Sequence, residues 1–215
     1  MARWARWWPL TGIAFVALWI IGFAILGDDV DSQSSNEKIL AYYAKSGNRD
    51  KHVALFFMVL AAGLFFVWFI TRLRGRLARA EGTAGNLTAV VVGAGMTANA
   101  LWLVSSALFV APAFSIEDTK KFTLDPDTYR ISQDIGYAIW FSGTTIAAIL
   151  VAATTVLALR HGLLPKVICW LSFVVAATML VSFFFIPFII MCGWILVVCA
   201  TLILRPEPQA PAPQT

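Results

Sequence analysis

The chain has 215 residues, of which 60% are hydrophobic and only 13% charged, with a formal net charge of +4. Soluble domains carry about 45–50% apolar and about 25% charged residues, so this composition excludes an ordinary water-soluble fold and points to a membrane protein. No basic patch with interleaved aromatics marks a nucleic-acid surface.

Six apolar runs, at about 9–27, 53–71, 87–111, 135–159, 167–186 and 188–204, contain no Asp, Glu, Lys, Arg or His. They are too long and too uniformly apolar for barrel strands, which alternate and need about 9–11 residues. Only helices or closed barrels satisfy their backbone in lipid. The fold class expected is therefore all-α: one polytopic membrane domain over 1–204, with six transmembrane helices.

In chain order, the first run follows Arg3 and Arg6. Its 19 residues exceed the usual apolar core of a signal peptide, about 7–15, and no small-residue cleavage motif precedes Asp28, so it reads as an uncleaved span. Trp7 and Trp8 suit an interfacial anchor, as does Trp170 near the start of the fifth run. In the first long loop, Ser34 and Glu37 fit a capping box. Ile39, Leu40 and Tyr43 share a face, and Gly47 offers a stop, so a short helix is expected over 35–46. The second helix continues past its run through Arg72, Arg74, Arg76 and Arg79 to a stop at Gly82; the arginines read as a topology determinant or an anionic-lipid patch.

Asp125-Pro126-Asp127 marks a helix start: Asp at N-cap, Pro at N1 and an acid in the first turn. That helix should run unbroken from 126 to about 159, roughly 51 Å, and protrude beyond a ~30 Å hydrocarbon core. Gly162 and Pro165 separate it from the fifth run. Residues 167–204 carry no polar turn; two short spans with a turn near 185–188, at Pro187, fit better than one helix of about 57 Å. The tail 205–215, with four prolines, reads as disordered.

Nine basic residues fall in the segments on the side of the termini and seven on the other, and the former lie close to span ends. The positive-inside rule then places both termini in the cytoplasm of a cell with the protein in its inner (plasma) membrane. Cys169, Cys192 and Cys199 all lie inside the last two runs, without metal or redox spacing, and read as packing residues.

Candidate chemistry is sparse. Asn99, Trp102 and Ser106 share one face of the third span and suit a polar pocket, or a helix–helix hydrogen bond beside Gly93 and Gly95. Asp134, Tyr137 and Phe141 share a face of the fourth span, with Trp140 on another. His52 and Asp28, with Asp29, lie at the same outer level, where a lipid head group, a cation or a lipophilic molecule could be held. In-span aromatics could stabilise a cation, including one formed in a cyclase, for which Asp134 is the candidate acid and Trp102, Trp140 and Tyr137 the wall. There is no zinc, nucleotide or serine-triad motif, and no metal or cofactor is expected.

Ala41-Tyr42-Tyr43-Ala44, Leu73-Arg74-Gly75-Arg76-Leu77 running to Ala80-Glu81-Gly82, and Leu159-Arg160-His161-Gly162-Leu163-Leu164-Pro165 resemble a loose group of small six-helix membrane proteins typical of actinobacteria, most without assigned function. The resemblance implies an inner-membrane location and adds no catalytic residue. The function expected is binding of a lipid, a lipophilic small molecule or a membrane partner, including a second copy. The alternatives are a cyclase or isomerase acting on a lipophilic substrate, and an uncoupled transporter or exporter, because mid-bilayer charges that would couple ions are missing.

Overall fold

The computed structural model describes residues 8–82, 85–119, 121–181 and 185–204. Among them are seven helices and no strand: α1 (Leu10–Leu26), α2 (Asn36–Ala44), α3 (Ser46–Glu81), α4 (Asn86–Asp118), α5 (Pro126–His161), α6 (Lys166–Met179) and α7 (Ile186–Leu204). Four of these, α3, α4, α5 and α7, are long and apolar enough to cross a membrane; α1 and α6 are apolar but shorter, at 17 and 14 residues. Large apolar side chains such as Ile20, Leu64, Trp68, Val174 and Ile189 are exposed around the bundle. Such a continuous apolar exterior is the mark of a lipid-facing surface. Arg3, Arg6, Trp7 and the proline-rich tail lie outside the described residues.

Successive long helices run antiparallel. The tightest partnership is α4 with α5, followed by α1 with α3 and α3 with α4. Small residues allow this approach. A Cβ on Gly136 would fall 2.6 Å from the Phe109 ring, so the ring approaches the α5 backbone this closely only because Gly is there. Pro112 sits inside α4 and has no N–H to give the carbonyl four residues earlier. That carbonyl, Leu108 O, instead accepts from Ser132 Oγ of α5 at 2.9 Å. Trp194 Nε1 donates to Ser172 Oγ at 2.8 Å and ties α7 to α6.

The long helices end where their sequences dictate. Asp125 caps α5 by accepting from Thr128 N at 2.8 Å, and the Thr128 donors hold its carboxyl below the usual range. Gly82 and Gly162, both at positive φ, close α3 and α5. Glu81 reaches across the α3–α4 connection, and its carboxylate accepts from Leu87 N and Thr88 N at 2.8 Å each. It thereby satisfies two amides of the first turn of α4 that have no partner within the helix.

Three local expectations are corrected. The N-cap of α2 is Ser35, which accepts from Lys38 N, while Ser34 Oγ donates to Asp31 Oδ1 at 2.9 Å. Gly47 is not a stop: the chain turns at Lys45 in an extended conformation, and Gly47 already belongs to α3. The break between the last two spans lies earlier than 185–188. Helix α6 ends at Met179, the chain turns at Leu180 and Val181, and α7 has begun by Ile186. Pro187 therefore sits in the first turn of α7, where its missing N–H has no helical acceptor to lose.

At the α2 end, loop and helix ends are bound together. Arg130 of α5 donates to Ser32 O, Ser34 O and Asn36 Oδ1 and pairs with Asp127. Tyr129 Oη donates to Val30 O at 2.6 Å. Arg49 pairs with Glu117 and donates to Tyr43 O, joining α3, α4 and α2. Beneath these polar ties lies a small core of Val30, Ile39, Tyr43, Val110, Ala113, Leu124 and Tyr129.

Candidate functional site

Below that cap, the helices enclose a cavity of about 270 Å³. Helix α1 supplies Trp19, Phe23 and Leu26 to its wall, and α3 supplies Leu55, Phe56 and Val59. Ser106, Phe109 and Val110 come from α4, Tyr137 and Trp140 from α5, and Phe185 from the start of α7. The space exists because α1 and α5 approach through aromatic rings and not through their backbones. Trp19 meets Trp140 edge to face at 5.0 Å, Phe23 meets Phe185 at 4.7 Å, and Phe185 stacks on Trp140 at 5.4 Å. Rigid rings meeting at their edges prop two helices apart.

Asp29, His52 and Gln133 also line this cavity and, among the described residues, are its only side chains bearing a carboxylate, imidazole or amide. His52 is 3% exposed, and its Nε2 lies 3.2 Å from Asp29 Oδ1. An ionised carboxylate only accepts, so this contact requires the tautomer with hydrogen on Nε2. Asp29 Oδ1 also accepts from Val30 N at 2.7 Å. The Tyr43 ring stacks on His52 at 5.4 Å and contacts Tyr129 edge to face. Burial first, then Tyr129 and Asp29, push the Tyr43 phenol up; burial and Asp29 do the same to Tyr42 and Tyr129. All three phenols therefore stay neutral.

Gln133 differs from these. It is 6% exposed, and its Nε2 has no hydrogen-bond partner. A buried donor without an acceptor costs about 1–3 kcal/mol. The other buried side-chain polar atoms without a partner among the described residues are hydroxyls of Tyr42, Thr88, Thr145 and Thr154, and none of those residues lines the cavity. A second hollow of about 240 Å³ lies between α1 and α7; it is lined by Val16, Ile20, Ile189 and Leu196 among others, and shares Trp19, Phe23 and Phe185 with the first.

Of the residues singled out from sequence, His52, Ser106, Tyr137 and Trp140 meet at this cavity. Asn99 and Trp102 do not. Asn99 Nδ2 donates to Gly63 O at 3.3 Å, and Trp102 Nε1 donates to Thr144 Oγ1 at 3.3 Å, so both join helices within the core. Trp102 lies one layer away, with its ring centroid 6.3 Å from that of Trp140. Phe141 is half-buried, and Asp28 and Asp134 are exposed; none of the three lines the cavity. Sequence reasoning passed over Gln133 because its neighbour Asp134 carries the charge. The signal was present: Tyr129, Gln133, Tyr137 and Trp140 fall at i, i+4, i+8 and i+11, a single helical face.

No group of three or more His, Cys, Asp or Glu among the described residues could hold a metal ion. Cys169, Cys192 and Cys199 are buried and unpaired with one another. The chain matches no protein-family model, no curated protein and no solved structure.

Proposed function

We propose that this chain is an inner-membrane protein of six spans, with both termini in the cytoplasm, and that it binds a lipophilic molecule in the cavity beneath α2. In this reading α1 and α6 cross as well. At about 26 Å and 21 Å they are short for a ~30 Å core, and interfacial Trp8 and Trp170 compensate at their ends. The cap held by Arg49 and Arg130 then lies at the outer surface, and the cavity lies in the outer leaflet. An impermeant thiol reagent should label Lys45→Cys in intact cells and Arg79→Cys only after permeabilisation. The opposite pattern would invert the topology.

The observation that carries the binding reading is the Gln133 amide, buried without a partner in the wall of a mostly aromatic and aliphatic space that also holds Asp29, His52 and Ser106. Ligand sites have this character: mostly apolar, with a few convergent polar groups. The test is mass spectrometry of molecules that co-purify with the full-length protein in mild detergent, compared with Ser106→Phe, which places a ring in the cavity. Wild type should retain a lipophile that the variant loses. Identical bulk lipid on both would sink the reading.

The Asp29–His52 pair favours a second reading, a cyclase or isomerase acting on the bound molecule. A proton donor in this reading is the carboxylate–imidazole pair facing the cavity and not the exposed Asp134. Asp29→Asn should abolish turnover of the identified ligand while Asp134→Asn leaves it intact.

A further inference from the structure

The polar groups of the cavity restrict the head group it accepts, an inference that rests on the binding reading above. An anionic head, such as a fatty acid or lipid phosphate, finds no Lys or Arg in the wall and meets the Asp29 carboxylate. The nearby arginines are committed: Arg49 to Glu117 and Tyr43 O, and Arg130 to Asp127 and the α2 loop. A quaternary ammonium suits the rings and Asp29, but offers no acceptor to Gln133 Nε2, which would stay buried and unpaired. A hydroxyl both donates and accepts. It can accept from the Gln133 amide and donate to a carboxylate oxygen of Asp29, and it satisfies Gln133 whichever way the amide is turned.

The second hollow bears on the tail. Trp19, Phe23 and Phe185 form a wall common to the cavity and to the lipid-facing groove between α1 and α7. That groove is apolar along its length, with Val16, Ile20, Ile189 and Leu196. We infer that the ligand is a lipid alcohol: an uncharged hydroxyl head held between Gln133 and Asp29, and a hydrocarbon tail lying past Phe23 and Phe185 in the α1–α7 groove.

The test uses the full-length protein in nanodiscs and three probes with one chain and different heads: 9,10-dibromooctadecanol, 9,10-dibromooctadecanoate and the corresponding trimethylammonium. Bromine quenches the Trp19 and Trp140 that form the wall, and Ser106→Phe gives the background of unspecific partition. The alcohol should bind about tenfold more tightly than either charged probe, about the worth of one satisfied buried hydrogen bond. Gln133→Leu should erase that preference while raising the thermal midpoint, because it removes an unpaired donor from the empty protein. Displacement of the bromoalcohol by geranylgeraniol or by dioleoylglycerol supports the inference in either case, and tells an isoprenoid source from a glyceride. A preference below threefold in the wild type, or a Gln133→Leu protein that keeps the full preference, overturns the lipid-alcohol assignment but leaves the binding site standing. If all three probes quench wild type and Ser106→Phe alike, the binding reading itself fails, and this inference with it.

Discussion

Toward the arginine-bearing end of α3, Leu73 and Leu77 meet Ala158, Val198 and Leu202 around a hollow of about 10 Å³. Toward α2, helices α1, α3, α4 and α5 enclose about 270 Å³. Both regions contain a buried polar atom without a partner, Thr154 Oγ1 in the first and Gln133 Nε2 in the second. The first space is at the ~10–15 Å³ that one water needs, so it has no room for a ligand beside Thr154. The second admits a molecule. Side-chain shape makes the difference: branched aliphatic side chains and alanine close around the small hollow, whereas in the open half the rings of Trp19 and Trp140 meet edge to face between α1 and α5. An unpaired polar atom therefore points to a ligand only where the packing leaves room beside it.

The comparison can be broken most sharply in the closed half. A Cβ on Gly12 would stand 2.6 Å from Cys199 Sγ, 2.9 Å from Phe69 Cδ2 and 3.1 Å from Ile195 Cγ2. Gly12→Leu should therefore cost about 2–3 kcal/mol, the upper range for overpacking, and pull α1 off α7. Ser106→Phe adds more atoms, but adds them to the open half, and should stay within about 1 kcal/mol of wild type. Comparing the unfolding of the two variants in detergent by circular dichroism checks both figures. Equal losses would mean that the open half is as tightly packed as the closed one.

The cap over the open half comes next. Arg130 donates to two backbone carbonyls and to Asn36, and among the described residues no other cation is hydrogen-bonded to those atoms. Arg130→Ala should lower stability by about 2 kcal/mol, as expected for charge-assisted, partly buried bonds. It should also speed amide exchange in α2 without touching α6 or α7. Exchange that rises uniformly across the bundle would show that the cap is not a separate unit.

The helical layout was legible because every charge lies between apolar runs, and the start of α5 because Asp125-Pro126 is a local signal that needs no tertiary context. The α6–α7 break was not legible: no polar residue marks it, and Pro187, read as the turn, is equally compatible with a first helical turn. The one-residue choice between Ser34 and Ser35 as N-cap was decided by Asp31, which takes up Ser34 through a turn invisible to pattern reading. The site was half legible. His52, Ser106, Tyr137 and Trp140, drawn from two different sequence readings, converge on the cavity toward α2. Which of Asp28 and Asp29 turns inward depends on the chain direction after Gly27, at positive φ, and on where His52 stands. Neither is encoded locally.

The smallest expected effect separates the ends by pH. At the closed end, donors from Thr88 and Leu87 hold the Glu81 carboxyl below its usual range. A carboxyl with a depressed folded-state pKa contributes stability above its unfolded value, near 4.5, and loses that contribution as pH falls through the lower folded value. Wild type should therefore lose thermal stability below about pH 4.5 at Glu81, where Glu81→Gln, already uncharged, should respond less. Glu81 is only half-buried, so screening by water and salt keeps the difference small. Asp125 provides the internal control: its carboxyl is depressed in the same way by Thr128 at the opposite end of the bundle, so Asp125→Asn should independently flatten the loss that begins below its own unfolded value, near 3.8. If the double variant flattens it by the sum of the two single effects, the ends titrate as separate units. A shortfall from additivity would mean that acid loosens the whole bundle at once, and the contrast between a closed and an open half would then describe packing alone and not two regions that open separately.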